Sequence, residues 1–298
     1  MTAAPQSTPV SGRAAHPGAD PDWLARIRAH LPRRSPAVMG IVNVTPDSFS
    51  DGGDFLAPEK AVAHARALIA AGADLIDVGA ESTRPYGNAA PVSADEEQAR
   101  LEPALRAVAD LGTPVSIDTM KARVAAWALD QGAAIVNDVW GLQRDPAMAE
   151  VVAARGVPVI IMHNREAVDG SIDIMADIAA FFARSLAIAA SAGIPRERIV
   201  LDPGIGFGKT PEQSLTVLAR LDNLHRHGLP LLVGASRKRF IDSVSPAPPR
   251  ERLGGSIAAH LIAADAGAAI LRVHDVAETV QALRLRSAIE SHSIESHP

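Results

Sequence analysis

The chain contains no cysteine, no surplus of basic charge and no long uninterrupted apolar run. The first absence removes disulfides, thiolate metal ligands and cysteine nucleophiles together. The second follows from 29 Lys and Arg against 34 Asp and Glu, a net charge of −5. A mildly acidic chain does not advertise nucleic-acid binding, so any anionic ligand must be caught by a local cluster. As for the third, MTAAPQSTPVSGRAAHPGADP at the N-terminus has no apolar core of signal-peptide length. The most apolar later window, Ile257 to Leu271, is broken by His260 and Asp265, which speaks against a membrane span. These absences predict a soluble, cytoplasmic protein that engages neither membrane nor nucleic acid.

The rest of the composition is that of an ordinary globular protein, 47% apolar and 21% charged with 22 Gly and 22 Pro in 298 residues. A disordered chain or a fibre is thereby set aside. The length suits two ordinary domains or one α/β barrel, which needs about 250 residues. Residues 1–36 are rich in Pro, Ala and Ser, with an Arg-containing patch around Trp23 to Arg34, and read as a flexible, solvated extension with one short helix. Residues 289–298 read as a frayed tail.

Between the tails, at 37–288, a unit repeats in structure though not in letters. Short β-branched runs occur at Val38–Val44, Leu75–Gly79, Pro114–Asp118, Ala134–Asp138, Val157–His163, Ile199–Asp202, Leu229–Gly234 and Ala269–His274. Helical periodicity follows at Pro58–Ala71, Lys121–Gln131, Ser171–Ala192, Thr210–Arg226, Leu253–Ala266 and Val276–Ser287. Several helical stretches stop at a glycine, as at Gly72, Gly132, Gly193 and Gly267, a residue that accepts the left-handed cap conformation. Eight strands alternating with helices imply a parallel sheet, and near-continuous apolar strands fit burial on both faces. An open doubly wound sheet is the alternative, but eight is the number that closes a barrel. The expected fold is α/β, a single (β/α)8 TIM barrel with a flexible N-terminal extension.

In such a barrel the active site lies at the C-terminal strand ends. Those ends carry Asn43, Asp77 with Glu81 beyond it, Asp118, Asn137-Asp138, His163-Asn164, Asp202, Ser236-Arg237-Lys238, and Arg272 with His274. One carboxylate at a strand end commonly just structures a loop. A ring of them reads as a binding site, because burying several unpaired charges costs several kcal/mol each. Asp118, Asn137 and Asp202 suit a flat ligand bearing several N–H donors, such as an amino-pyrimidinone, and Lys238 can donate to a ring carbonyl. Arg84, Arg272 and His274 form a donor set suited to phosphate oxygens. The residues therefore point to a polar heterocycle joined to an anionic, phosphorylated group.

Residues 203–210, PGIGFGKT, imitate a nucleotide-binding P-loop. The leading glycine of that motif is here Pro203, which has no N–H and fixes φ, so an anion cradle is not expected. A glycine-rich turn that lets a ligand approach Asp202 is the better reading. His64, His225, His227 and His260 fall in helical patterns and read as surface or packing residues, while His163 and Asn164 end a strand near the pocket.

The fourteen residues Gly40-Ile-Val-Asn-Val-Thr-Pro-Asp-Ser-Phe-Ser-Asp-Gly-Gly53 resemble the first signature of the dihydropteroate synthase family. Asp77-Val-Gly-Ala-Glu-Ser-Thr-Arg-Pro85 resembles its second. Ser116–Thr119, Asn137-Asp138, Asp202–Gly208, Ser236–Lys238 and Arg272–His274 follow in the family's order, so the resemblance covers about residues 37–285. It implies a barrel, usually a homodimer, that condenses 6-hydroxymethyl-7,8-dihydropterin diphosphate with 4-aminobenzoate. Asp118, Asn137, Asp202 and Lys238 would hold the pterin. Asn43 would ligate Mg²⁺ on the diphosphate, which Arg84, Arg272 and His274 would also bind. Thr83, Pro85, Phe207, Ser236 and Lys238 would shape the aminobenzoate site, and loops carrying Asp47, Asp51 and Arg84 would close over it. Asp51, with Asp118 and Asp202, would favour a cationic pterin.

The resemblance carries two departures, an extra Tyr86 before Gly87 and Asn164 after His163. The Gly204–Lys209 stretch has no insertion, so sulfonamides are expected to compete with aminobenzoate. A corrinoid methyltransferase of the pterin-binding barrel group would need no diphosphate donors, and a non-catalytic pterin-binding paralogue would not need them with Lys238. A phosphate-binding sugar isomerase is an analogy of fold alone.

Overall fold

The computed structural model describes residues 22–29, 31, 35–44, 58–81 and 92–295. Eight parallel strands run in the order expected: β1 (Ala37–Asn43), β2 (Leu75–Gly79), β3 (Val115–Asp118), β4 (Ile135–Asp138), β5 (Val159–Met162), β6 (Ile199–Asp202), β7 (Leu232–Val233) and β8 (Ile270–Val273). Each pairs with its sequence neighbour, and β1 pairs with β8. The ring closes through a single parallel bridge between Leu201 and Leu231. The open doubly wound alternative is thereby excluded.

The helices around this ring are α1 (Trp23–Arg28), α2 (Pro58–Ala70), α3 (Ala94–Leu101), α4 (Leu105–Ala109), α5 (Ala122–Asp130), α6 (Met148–Arg155), α7 (Ile174–Ser191), α8 (Pro211–Ala219), α9 (Arg239–Val244), α10 (Leu253–Asp265) and α11 (Val276–Glu295). Gly72, Gly132, Gly193 and Gly267 all take positive φ just past helix ends, the left-handed stop that lacks a Cβ penalty. The helical pattern expected over Thr210–Arg226 divides. Arg220 leaves the helical region, and Leu221–His227 continues as 3₁₀ turns with Leu221 and Leu224 buried, an i, i+3 spacing that suits that tighter helix. α7 is long and apolar enough to cross a membrane by length and composition; in this fold it buries Ile178, Phe181 and Phe182 against the barrel.

Side-chain alternation divides the strands into two faces. Val38, Val42, Ile76, Val78, Ile117, Val136, Ile161, Leu201 and Leu271 face the helices in one large core. Ala37, Met39, Leu75, Ile135, Ile160, Val200, Leu232 and Ile270 fill the barrel interior, and Trp23 joins them with Ala134 and Ala269, which precede β4 and β8.

Trp23 corrects the expectation of a solvated extension up to residue 36. The short helix is there, but Trp23 is 3% exposed and joins the buried cluster of the barrel interior at the end where the strands begin. Arg28 fastens the helix by donating from Nε and Nη2 to the Ser35 carbonyl. At the other terminus α11 continues to Glu295, so the tail expected from 289 begins as helix.

Candidate active site

The same alternation selects the side chains that meet at the barrel mouth. Asn43, Asp77, Asp118, Asn137, Asp202, Arg272 and His274 share the phase of the interior residues on their strands. Asp138 and His163 have the opposite phase. Asp138 is accordingly spent on its own loop, accepting from Trp140 N–H at 2.9 Å and Leu142 N–H at 2.7 Å.

Arg272 is the hub of the interior set. Its Nε donates to Asp77 Oδ2 at 2.6 Å and its Nη2 to Asp118 Oδ2 at 2.8 Å. Asn137 Nδ2 donates to both Asp77 oxygens, at 3.4 and 3.3 Å. Burial alone would lower the guanidinium's pKa, but Asp77 and Asp118 raise it instead. Asp77 is fully buried and anchors both Arg272 and Asn137. Sequence reasoning placed it at a strand end and gave it no role.

Two acceptors of this cluster have no partner among the described residues: Asp118 Oδ1 and Asn137 Oδ1, both buried. Native structures rarely leave such atoms unsatisfied, because each costs roughly 1–3 kcal/mol. They call for N–H donors from a ligand. Burial pushes the Asp118 carboxyl up to about 7 against the pull of Arg272. Asp202, whose Oδ1 accepts from Gly204 N–H at 2.7 Å, is likewise raised by burial, to about 6, while that hydrogen bond and Lys238 act to lower it.

The opposite rim comes from the loops after β6 and β7. Phe207 is half-buried and lies under the Lys238 ammonium, which stands 4.0 Å from the ring centroid. Cation and ring attract through the ring quadrupole. Ser236 is buried and pairs with His274 Nδ1 at 2.9 Å, joining the ends of β7 and β8. Between Ser236 and Lys238, Arg237 takes φ +58, uncommon for a side-chain-bearing residue. It is held there by its ion pair to Asp275 at 2.5 Å and by Ser256 Oγ, which accepts its N–H.

His163, expected near the pocket, lies beneath it. Its Nε2 donates to Asp177 Oδ2 at 3.1 Å and its Nδ1 accepts from Lys209 Nζ at 2.7 Å. Burial first, then Lys209, drives its pKa down to about 2, so the ring is neutral. Lys209 itself is 1% exposed, and burial lowers it to about 7 while Asp202 and Asp177 hold it up. The sequence offered Lys209 only as part of a failed P-loop match, and nothing in the residue string signals its burial.

Thr83, Arg84, Pro85 and Tyr86, and likewise Asp47 and Asp51, lie outside the described residues. Among the described residues no three His, Asp or Glu side chains gather as a metal cage. Half-buried Asn43, with the interior phase at the end of β1, supplies one oxygen. That donor set fits Mg²⁺, which keeps most of its water and binds through one or two protein oxygens plus substrate phosphates.

A family model described as pterin binding enzyme matches residues 39–274. A dihydropteroate synthase of Bacillus subtilis is 45% identical over 253 residues, which cover 85% of this chain and 88% of that protein. A crystal structure of the Clostridium difficile dihydropteroate synthase, determined in the presence of pteroic acid, superposes with a TM-score of 0.82 at 47% identity, over 86% of this chain and 97% of that one. A Xanthomonas albilineans dihydropteroate synthase with 4-aminobenzoic acid superposes with a TM-score of 0.81 at 44% identity, over 86% and 93%.

Proposed function

The chain belongs to the dihydropteroate synthase family of pterin-binding enzymes, and from that premise we propose that it joins 6-hydroxymethyl-7,8-dihydropterin diphosphate to 4-aminobenzoate, forming 7,8-dihydropteroate and releasing diphosphate. The observation that carries this reading is the pair of buried acceptors on Asp118 and Asn137 that have no partner among the described residues. With Asp202 they present acceptors in one mouth, matching the N–H donors along an amino-pyrimidinone edge. Lys238 supplies the donor for the ring carbonyl. Phe207, Ser236 and Lys238 shape the arylamine side, together with Thr83 and Pro85.

The reaction breaks the bond between the pterin methylene and the diphosphate oxygen and forms one to the arylamine nitrogen, which gives up a proton. The dihydropterin ring can delocalise positive charge, so the protein needs no covalent nucleophile. Charge must be stabilised at both ends of the breaking bond. Asp118 and Asp202, with Asp51, favour the cationic pterin, while Arg272, His274 and Arg84 hold the diphosphate. Mg²⁺, when bound with the diphosphate, supplies further neutralisation of the leaving group, with Asn43 as its protein ligand. Holding the arylamine in line contributes the orientation term. This describes a dissociative displacement, which positional isotope exchange in the labelled diphosphate checks; a tight displacement with no exchange contradicts it.

The decisive experiment is diphosphate release from purified protein, with the pterin diphosphate, 4-aminobenzoate and Mg²⁺ omitted in turn. Release that requires both substrates and Mg²⁺, matched by dihydropteroate, supports the reading. Pterin binding without product favours a non-catalytic paralogue instead, and no pterin binding removes both. We further propose a cytoplasmic homodimer. Leu215, Val244, Ile262, Leu285 and Ile289 are exposed on the neighbouring helices α8, α9, α10 and α11, an apolar surface suited to a second copy. A chain that sediments as a monomer at micromolar concentration refutes the dimer.

A further inference from the structure

The segment between β6 and α8 is fastened at several points, and one of its fasteners is a charged group in the protein interior. At one end Gly204 N–H donates to Asp202. At the other, Thr210 caps α8 reciprocally with Gln213, followed by Pro211 at the first helical position. Between these ends the segment lies directly on the exit of β5. Gly204 has φ +63, and a Cβ there would overlap the His163 carbonyl oxygen; one on Gly208 would overlap Arg165. A turn stacked this closely has carbonyls that must find donors inside the protein.

Lys209 provides them. Its ammonium donates to the Gly204 carbonyl at 2.8 Å, to the Phe207 carbonyl at 3.1 Å and to His163 Nδ1 at 2.7 Å. His163 is fixed in turn: its Nε2–H is directed at Asp177, its ring packs edge-on against Phe181 at 4.9 Å, and Arg165 pairs with the same Asp177 oxygen at 3.3 Å. The chain of donors runs from Lys209 through a neutral histidine to a carboxylate on α7. It holds the two carbonyls that bracket the Gly204–Phe207 turn. Phe207, the last residue of that turn, carries the ring against which Lys238 rests.

We propose that Lys209, backed by His163 and Asp177, is the positioning residue of the arylamine subsite, setting the Phe207 ring and through it the lie of Lys238 along the aminobenzoate. This deepens the synthase reading and rests on it. Of the side chains proposed for the pterin, Asp118 on β3 and Asn137 on β4 lie apart from this turn, while Asp202 and Lys238 each meet it once, so the loss of Lys209 falls more heavily on the second substrate. A ring displaced by even 1 Å can cost as much as 10²-fold in rate when orientation is what the site supplies.

The test is steady-state kinetics of wild type, Lys209→Met, Phe207→Leu and the double variant, together with direct pterin binding by calorimetry. Lys209→Met is expected to raise KM for 4-aminobenzoate about tenfold with the pterin Kd within about threefold. In the Phe207→Leu background the same change is expected to add less than about twofold, because residues acting through one another are non-additive. Asp177→Ala, which removes the outer anchor of His163 and the ion-pair partner of Arg165, tests the same chain if Lys209→Met does not fold, with an expected rise of about threefold. The inference is overturned by an unchanged arylamine KM in a folded variant, by equal losses for both substrates, or by effects that multiply in the double variant. A wild type that binds both substrates and forms no dihydropteroate overturns the synthase reading and this inference with it. Turnover by wild type with unaffected variants overturns this inference alone.

Discussion

Arg272 spans the barrel mouth to Asp118, donating from Nη2 to Oδ2 at 2.8 Å, while its Nε holds Asp77 at 2.6 Å. One guanidinium thus compensates two buried carboxylates, each of which would be costly alone. Arg272→Met is expected to destabilise the protein by about 3–5 kcal/mol at pH 8, the usual cost of leaving buried charge unpaired. The loss should shrink at pH 5.5, because Asp118, already raised to about 7 by burial, takes a proton more readily without its cation. Urea denaturation at the two pH values measures both terms. A penalty that does not change with pH would mean that Arg272 matters for packing rather than charge.

Asp202 sets stability against binding. Burial raises its folded pKa to about 6, above the usual unfolded value near 3.9. Between those values the folded state holds a proton that the unfolded state has lost. This contribution to stability is full below about pH 4 and disappears as pH rises through about 6. Asp202→Asn keeps an acceptor for Gly204 N–H and removes the titration. Relative to wild type, the variant should therefore gain about 1–3 kcal/mol in stability between pH 4 and pH 8. It should also lose about 1.5–3 kcal/mol of pterin affinity, the worth of a charge-assisted hydrogen bond. Thermal unfolding and calorimetric titration check the two halves, and a pterin Kd within twofold of wild type takes Asp202 out of the site.

The barrel was legible because its signals are local. β-branched runs recur eight times in alternation with alanine-rich helical stretches, several of them ended by glycine, and no long-range contact is needed to see them. The ring of polar strand ends was legible for the same reason, since a barrel sends every strand end to one mouth. Alternation could have refined it, for a count from Val136 and Ile161 sends Asp138 and His163 outward and leaves Asn137 inside. Lys209 was hidden because its burial depends on a loop stacking on a strand some forty residues earlier (His163 to Lys209). Trp23 was hidden because the cluster it joins is assembled from residues of strands distant in the sequence.

Phe207 and Lys238, proposed above for the arylamine side, stack with the ammonium 4.0 Å from the ring centroid. The Gly204–Lys209 turn that carries Phe207 is short. A sulfonamide, which reproduces the aromatic amine of 4-aminobenzoate, is expected to occupy the same subsite. Raising 4-aminobenzoate should then restore the rate, with apparent KM increasing in proportion to drug and the limiting rate unchanged. Inhibition insensitive to 4-aminobenzoate would place the drug elsewhere.

Trp23 separates stability from catalysis, because it sits at the end of the barrel opposite the mouth. The indole is 3% exposed and packs with Met39, Leu75, Ile135, Ile160 and Val200 in the barrel interior. Trp23→Ala leaves a cavity at the end of this buried cluster, so the expected cost is about 3–5 kcal/mol, as for other buried large-to-alanine changes. Trp23 enters this cluster from the end opposite the mouth, and kcat and both KM values at 25 °C should stay within twofold of wild type. Equilibrium unfolding and steady-state kinetics on one preparation decide the matter. A large loss of activity without loss of stability would show that the plug is coupled to the strand ends, and unchanged stability would return the N-terminal helix to the solvated extension its composition suggests.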